Sequence, residues 1–290
     1  MVWKRKRPVH PASQQRADGG PCGQERPPDE LSAGRGGQRM GAVGLILIRH
    51  GESEGNVAAS AAQASGAEVI DVRLRDPDVP LSPTGREQAS ALKEWLAGAS
   101  PSDSPDAIWC SPYLRARQTA ELAGLQAVSG HLMDFAGIHI DERLRDRELG
   151  ILDMLTARGV AVRFPEEARR REWLGKFYYR PPGGESWADV ALRLRSLLAE
   201  LDQVEDGHSV ALICHDAVIM LFRYICEGLT EEELLAIAAS STILNCSVTR
   251  LVRPFGAGPW RLESFNEVAH LKAVGAPVTE HRGDTDVLPH

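Results

Sequence analysis

Two short apolar runs constrain this chain more than any other feature. Val43 to Ile48 reads V-G-L-I-L-I, and Ser209 to Cys214 reads S-V-A-L-I-C. Neither alternates apolar with polar residues, so each suits a strand covered on both faces, as in a parallel sheet packed between helices. Helical patterns alternate with strands along the rest of the chain. Thr84-x-x-Glu87, Ser186-x-x-Asp189 and Thr230-x-x-Glu233 fit capping boxes, with helix starts near Ser82 or Thr84, at Ser186 and at Thr230. Ala107 to Cys110, Ile138 to Ile140, Cys246 to Val252 and Arg261 to Phe265 read as further strands, and Arg115 to Leu122 as a helix. This alternation predicts an α/β fold, three-layer α/β/α with a mostly parallel central sheet. Ligands of such sheets bind beyond the carboxyl ends of the strands. Both runs end in a histidine there, His50 and His215, so two imidazoles are expected where chemistry happens.

Domain organisation follows from composition. Residues 1–39 hold six Gly, five Pro and a charge of +4, with Val2, Val9 and Leu31 as their only aliphatic side chains. Such a segment cannot bury enough apolar surface to offset its ordering entropy. Residues 1–40 are expected to be a disordered extension, with Met40 as an alternative start. Residues 41–270 are expected to form one domain carrying a substrate-cap insertion around 151–182. Residues 271–290 are expected to be a flexible tail.

Charge and cysteine content exclude some functions. The whole chain of 290 residues carries −7, which argues against broad nucleic-acid binding. No run of about 18 apolar residues is present, which argues against a membrane span. The five cysteines include no C-x-x-C pair, and no apolar stretch follows Lys4 to Arg7. Reduced thiols and a cytoplasmic location are therefore expected. The oligomeric state is not legible.

The segment after the first run is Arg49-His50-Gly51-Glu52-Ser53-Glu54-Gly55-Asn56. A histidine held neutral at a strand end can serve as a covalent nucleophile, and an adjacent arginine can grip phosphate oxygens in a fork. Gly51 would let the backbone approach a ligand. Further along stand Leu81-Ser82-Pro83-Thr84-Gly85, Ser111-Pro112-Tyr113-Leu114-Arg115-Ala116-Arg117-Gln118-Thr119-Ala120, Leu144-Arg145-Asp146-Arg147-Glu148-Leu149-Gly150, Pro181-Pro182-Gly183-Gly184-Glu185-Ser186 and Cys214-His215-Asp216.

In this order, the motifs make the chain resemble the histidine phosphatase superfamily, phosphoglycerate mutase-like branch, from about Gly41 to Val252. The resemblance implies that His50 becomes phosphohistidine. It implies that Arg49, Arg115 and His215 hold the transferred phosphoryl group, with Asn56 as a further contact and Ser53 and Gly51 in the same binding loop. Asp146 occupies the general-acid position, where the mutases carry Glu. Asp216 replaces the usual Gly after the second histidine. The implied activity is a metal-independent phosphomonoesterase without cofactor, acting on a small phosphorylated substrate. A phosphoglycerate mutase-type isomerase and a weakly catalytic phospho-ligand binder are alternatives. Arg169 to Arg171 and Tyr178, within residues 163–180, are expected to cap the site and select the substrate.

Overall fold

In the computed structural model, residues 41–98, 104–125 and 137–281 are described. Residues 1–40, and with them the expected disordered extension and the alternative start at Met40, lie outside the described residues, as does the chain beyond 281. Among the described residues, six strands form one sheet: β1 (Gly44–Arg49), β2 (Ala107–Cys110), β3 (His139–Ile140), β4 (Ser209–Cys214), β5 (Val248–Val252) and β6 (Arg261–Glu267). Their order is β3-β2-β4-β1-β5-β6. Strands β3, β2, β4 and β1 run parallel, and β5 and β6 add antiparallel pairings at one side. The apolar runs thus form the centre of the sheet, where both faces are covered.

Alternate residues of those strands feed opposite layers. Leu45 and Leu47 of β1 join Val210 and Leu212 of β4 in a cluster with helices α6 (Trp187–Val204) and α7 (Asp216–Glu227). Ile46 and Ile48 join Ala211 and Ile213 in a second cluster with α2 (Pro83–Ala97) and α3 (Leu114–Leu122). The four β1 side chains are at most 2% exposed. Each such burial is worth about 1.5–3 kcal/mol relative to exposure. No helix of the described residues is long and apolar enough to cross a membrane.

Local chemistry fixes where the helices begin. Ser53 caps α1 (Glu54–Ser65) in a capping box with Asn56. Ser186 and Thr230 do the same for α6 and α8 (Glu231–Ser240), with Asp189 and Glu233 as partners. For α2 the cap is Ser82, which accepts from the Gly85 amide, and not Thr84. Pro83 explains the earlier start: it lacks an amide proton and its φ is already helical at the first helical position.

Residues 151–182 fold into α4 (Ala157–Arg163) and α5 (Pro165–Tyr178), broken at Gly175, where φ is 72°. Residues 274–281, expected to be loose, are instead bound to the fold. Gln88 Nε2 donates to the Pro277 carbonyl and to Thr279 Oγ1, and the Asn245 amide donates to the Thr279 carbonyl. Before it comes α9 (Ala269–Ala273), whose Leu271 is fully buried.

Candidate active site

The sheet register builds the site. In the parallel pair β1 and β4, Ile48 lies opposite Ile213 and Arg49 opposite Cys214, so the next residues, His50 and His215, emerge side by side. The His50 amide extends the ladder by donating to the Cys214 carbonyl. The two imidazole centroids are 5.1 Å apart, nearly edge to face. Strand β2 neighbours β4 and ends at Cys110, from which Ser111-Pro112-Tyr113 leads into α3 and presents Arg115 beside both rings.

His50 is buried and oriented. Its Nδ1 is 2.7 Å from the Gly51 carbonyl oxygen, which can only accept, so the ring proton belongs on Nδ1. Nε2 keeps its lone pair and accepts from Arg115 Nε at 3.3 Å. Burial, reinforced by Arg115, His215 and Arg49, holds the pKa of His50 well below the ordinary imidazole range. The same causes, burial first and then Arg115, Arg193 and Arg49, keep His215 neutral. His215 Nε2 faces Ser111 Oγ at 2.9 Å, while its Nδ1 makes no hydrogen bond.

Asp146 Oδ2 lies 3.3 Å from His215 Nδ1 and 3.2 Å from Arg115 Nη2. Arg193 holds the Asp146 loop from behind. It donates from Nη2 to the Asp146 carbonyl, from Nη1 to the Arg143 carbonyl, and to Glu185. Gly150 allows the turn that ends this loop, with φ of 56° and the Pro182 carbonyl so close that a Cβ would lie 2.2 Å from it.

Arg49 is buried and donates through Nη1 to the Ile243 carbonyl, while its Nε makes no hydrogen bond. Asn56 Oδ1 accepts from the Ser53 amide and Asn245 Nδ2. These residues line one wall of a cavity of about 510 Å³. Met154, Leu155, Lys176 and Trp187 also line it.

The structure brings His50, Arg49, Arg115, His215, Asp146, Asn56 and Ser53 together, but it changes the part of Gly51. Gly51 does not line the cavity. A Cβ there would lie 2.6 Å from the Gly85 carbonyl, so its smallness serves the packing of the loop on the start of α2. Gly51 also donates its amide to Thr119 Oγ1. Asp216 lines the cavity as the first residue of α7, with Oδ1 accepting from the Ala217 amide. From residues 151–182, Lys176 and the 153–155 turn reach the cavity, but Arg169 to Arg171 and Tyr178 do not. Arg169 pairs with Glu166, Arg170 with Glu167, and Tyr178 with Glu231. That helix places its arginines towards its own acidic first turn, at the i,i+3 spacing that favours such pairs.

Sequence reasoning missed several residues of the site. Asp76, on a 3-10 turn (Asp76–Asp78), binds Arg115 through both carboxylate oxygens. Tyr113 donates its hydroxyl to Glu148. Glu52 accepts from Ser82 Oγ at 2.6 Å and lies 2.7 Å from His281 Nε2. The His281 carbonyl contacts Arg49. Nothing in the sequence ties Asp76 or His281 to the site, since their partners there are far away along the chain.

The model of the histidine phosphatase superfamily (branch 1) matches residues 45–268. A 6-phosphofructo-2-kinase/fructose-2,6-bisphosphatase of Caenorhabditis elegans is 32% identical over 176 residues, which are 60% of this chain and 32% of that protein. The chain spans about a third of the length of the curated relatives it matches, 40% at most among the most similar ones. Among solved structures, a mycobacterial glucosyl-3-phosphoglycerate phosphatase in complex with inorganic phosphate superposes with a TM-score of 0.58 at 27% identity, covering 79% of this chain and 99% of that one. The YhfR protein of Bacillus stearothermophilus does so with a TM-score of 0.58 at 25% identity, covering 79% and 100%.

Proposed function

We propose that this chain, which belongs to the histidine phosphatase superfamily, hydrolyses phosphate monoesters through a phosphohistidine formed on His50. One observation carries the reading: His50 Nε2 holds a lone pair in a buried pocket, with its other nitrogen tied to Gly51 and with Arg115, His215 and Asp146 around it.

Nε2 attacks phosphorus in line with the leaving oxygen. The phosphorus–nitrogen bond forms as the phosphorus–oxygen bond breaks, and the Gly51 carbonyl supports the imidazolium charge that develops. The phosphoryl group in flight spreads charge over three oxygens, so positioned cations supply most of the catalysis. Arg49 Nε and His215 Nδ1 are buried nitrogens that make no hydrogen bond, the latter 3.3 Å from Asp146 Oδ2, and both are donors for those oxygens. Arg115 supplies the guanidinium nearest Nε2. Asn56 has its oxygen committed to Ser53 and Asn245, so its NH2 end is the one to meet a phosphoryl oxygen. Asp146, in its acid form, protonates the leaving alcohol; its carboxylate then takes a proton from the water that cleaves the phosphohistidine. Two guanidiniums and the N–H of neutral His215 supply the positive potential for the phosphoryl oxygens in these steps.

The named relatives act on phosphorylated sugars and sugar acids, so small phosphate esters of that kind are the first substrates to screen. The test is release of phosphate from p-nitrophenyl phosphate in EDTA, with His50→Ala beside the wild type. Activity that survives EDTA and vanishes in His50→Ala is expected. Equal activity in both proteins would remove His50 as nucleophile. A mutase would instead return isomerised 3-phosphoglycerate in the presence of a bisphosphate primer.

A further inference from the structure

Arg115 has five N–H donors, and the protein takes all five. Nε donates to His50 Nε2 at 3.3 Å. Nη1 donates to the Asp76 carbonyl at 2.8 Å and to Asp76 Oδ1 at 2.9 Å. Nη2 donates to Asp76 Oδ2 and Asp146 Oδ2, both at 3.2 Å. Asp76 therefore meets the guanidinium fork on fork, the geometry in which arginine also holds phosphate. A phosphoryl group on His50 Nε2 needs Nη donors from the same guanidinium, and Asp76 stands on them.

We propose that Asp76 is a stand-in ligand on Arg115, which the substrate's phosphoryl group must displace, so that Asp76 sets the affinity of the site for phosphate esters. The inference rests on the phosphatase reading above and adds the residue that regulates binding at that site. Asp76 is placed to yield. Its side chain is one third exposed and sits on a short 3-10 turn, whereas Arg115 is buried. Two negative groups on one guanidinium also oppose each other, and an arriving dianion sharpens the conflict. Protonation of Asp76 relieves it.

Burial and the facing Asp146 favour that protonation, and Arg115 opposes it. Arg115 faces Asp76 from α3, Tyr113 from just before that helix, Asp146 from its loop and Asp153 from the turn after it. Burial raises the pKa of Asp76 above the usual carboxylate range; Arg115 opposes this and Asp146 adds to it. Affinity for a tetrahedral dianion is therefore highest at low pH and falls as pH rises through the titration of Asp76. His50 and His215 titrate well below the ordinary imidazole range and remain neutral meanwhile.

Sulfate tests this without turnover, because it remains a dianion above about pH 3 and so throughout the titration of Asp76. Its affinity would be measured by calorimetry on the full chain, and as competitive inhibition of p-nitrophenyl phosphate hydrolysis. In the wild type it should weaken as pH rises. Asp76→Asn should bind sulfate about tenfold tighter at neutral pH and lose most of the slope. Asp146→Asn, which leaves Asp76 in place, should keep the slope but move it to lower pH, because the carboxylate that helps to raise Asp76 is gone. Asp76→Ser provides the same reading should Asp76→Asn fail to fold. If neither Asp76 variant binds sulfate more tightly, or if the slope persists in both, the proposal is overturned and Asp76 merely aligns Arg115. If sulfate follows the expected pattern while hydrolysis does not need His50, the stand-in role holds and the phosphohistidine reading fails.

Discussion

His50 and Arg115 show how much a single side chain owes to its immediate partners. Each would be an ordinary group in water, but burial and neighbouring cations hold the imidazole neutral, and the Gly51 carbonyl assigns its proton. The meeting of His50, Arg49, Arg115, His215 and Asp146 in one site was legible in the sequence because each belongs to a contiguous motif. Asp76 was not, because its importance comes from a contact with a residue 39 positions away that only the fold creates. Gly51 was legible as a constrained position, but its constraint is the Gly85 backbone and not a ligand. Asp146 makes a prediction at this scale. Asp146→Asn should lower kcat/KM on alkyl phosphates by about 10²–10⁴-fold, because the leaving alkoxide loses its proton donor. It should do far less to p-nitrophenyl phosphate, whose leaving group departs without one. Equal losses on both substrates would assign Asp146 to positioning.

At the scale of elements, strands with long apolar runs announced themselves, and short ones did not. β1 and β4 are within one residue of their expected ends. β3 has two residues, and pairing with β2 makes it a strand more than propensity does. The α4–α5 region is interrupted at Pro165 and at Gly175, so its apolar residues give no single helical stripe. The start of α2 gives a test. Ser82 caps that helix and also donates to buried Glu52, so it ties α2 to the loop that follows His50. Ser82→Ala should cost about 1–2 kcal/mol in urea unfolding, the upper range for a lost cap, because Glu52 loses a partner as well. A change under about 0.5 kcal/mol would show that water replaces both bonds.

Across the whole molecule, buried histidines make the fold sensitive to acid. His50, His215 and His270 are all held below the ordinary imidazole value, chiefly by burial. A group whose folded pKa is depressed binds fewer protons in the native state, so stability is fully present above the unfolded value of about 6.5 and declines as pH falls below it. Asp141 and Asp189, held low against their burial by hydrogen bonds from Arg143 and from Arg180 and Ser186, add to the loss at lower pH. Asp76 and Asp153, raised by burial, act in the opposite sense there. The denaturant midpoint should therefore drop between about pH 7.5 and about pH 5.5, where the histidines dominate. A flat midpoint would show that these rings take up protons in the folded state. At this scale the sheet and its layers were legible from the two central runs, but the binding of residues 274–281 was not. That segment is short and without helical or strand periodicity, and hydrogen bonds to partners far away in sequence hold it.

The strand order also has a consequence for how the chain is made. β1 is among the first elements of the described fold to leave the ribosome, yet its parallel partner β4 lies roughly 160 residues later and its other neighbour, β5, later still. At ordinary rates of synthesis the wait is on the order of ten to thirty seconds. Throughout it, a fully apolar strand has both hydrogen-bonding edges open, the exposure that leads nascent chains to associate with one another. The two histidines meet only when that wait ends, so the candidate site does not exist until the central sheet closes.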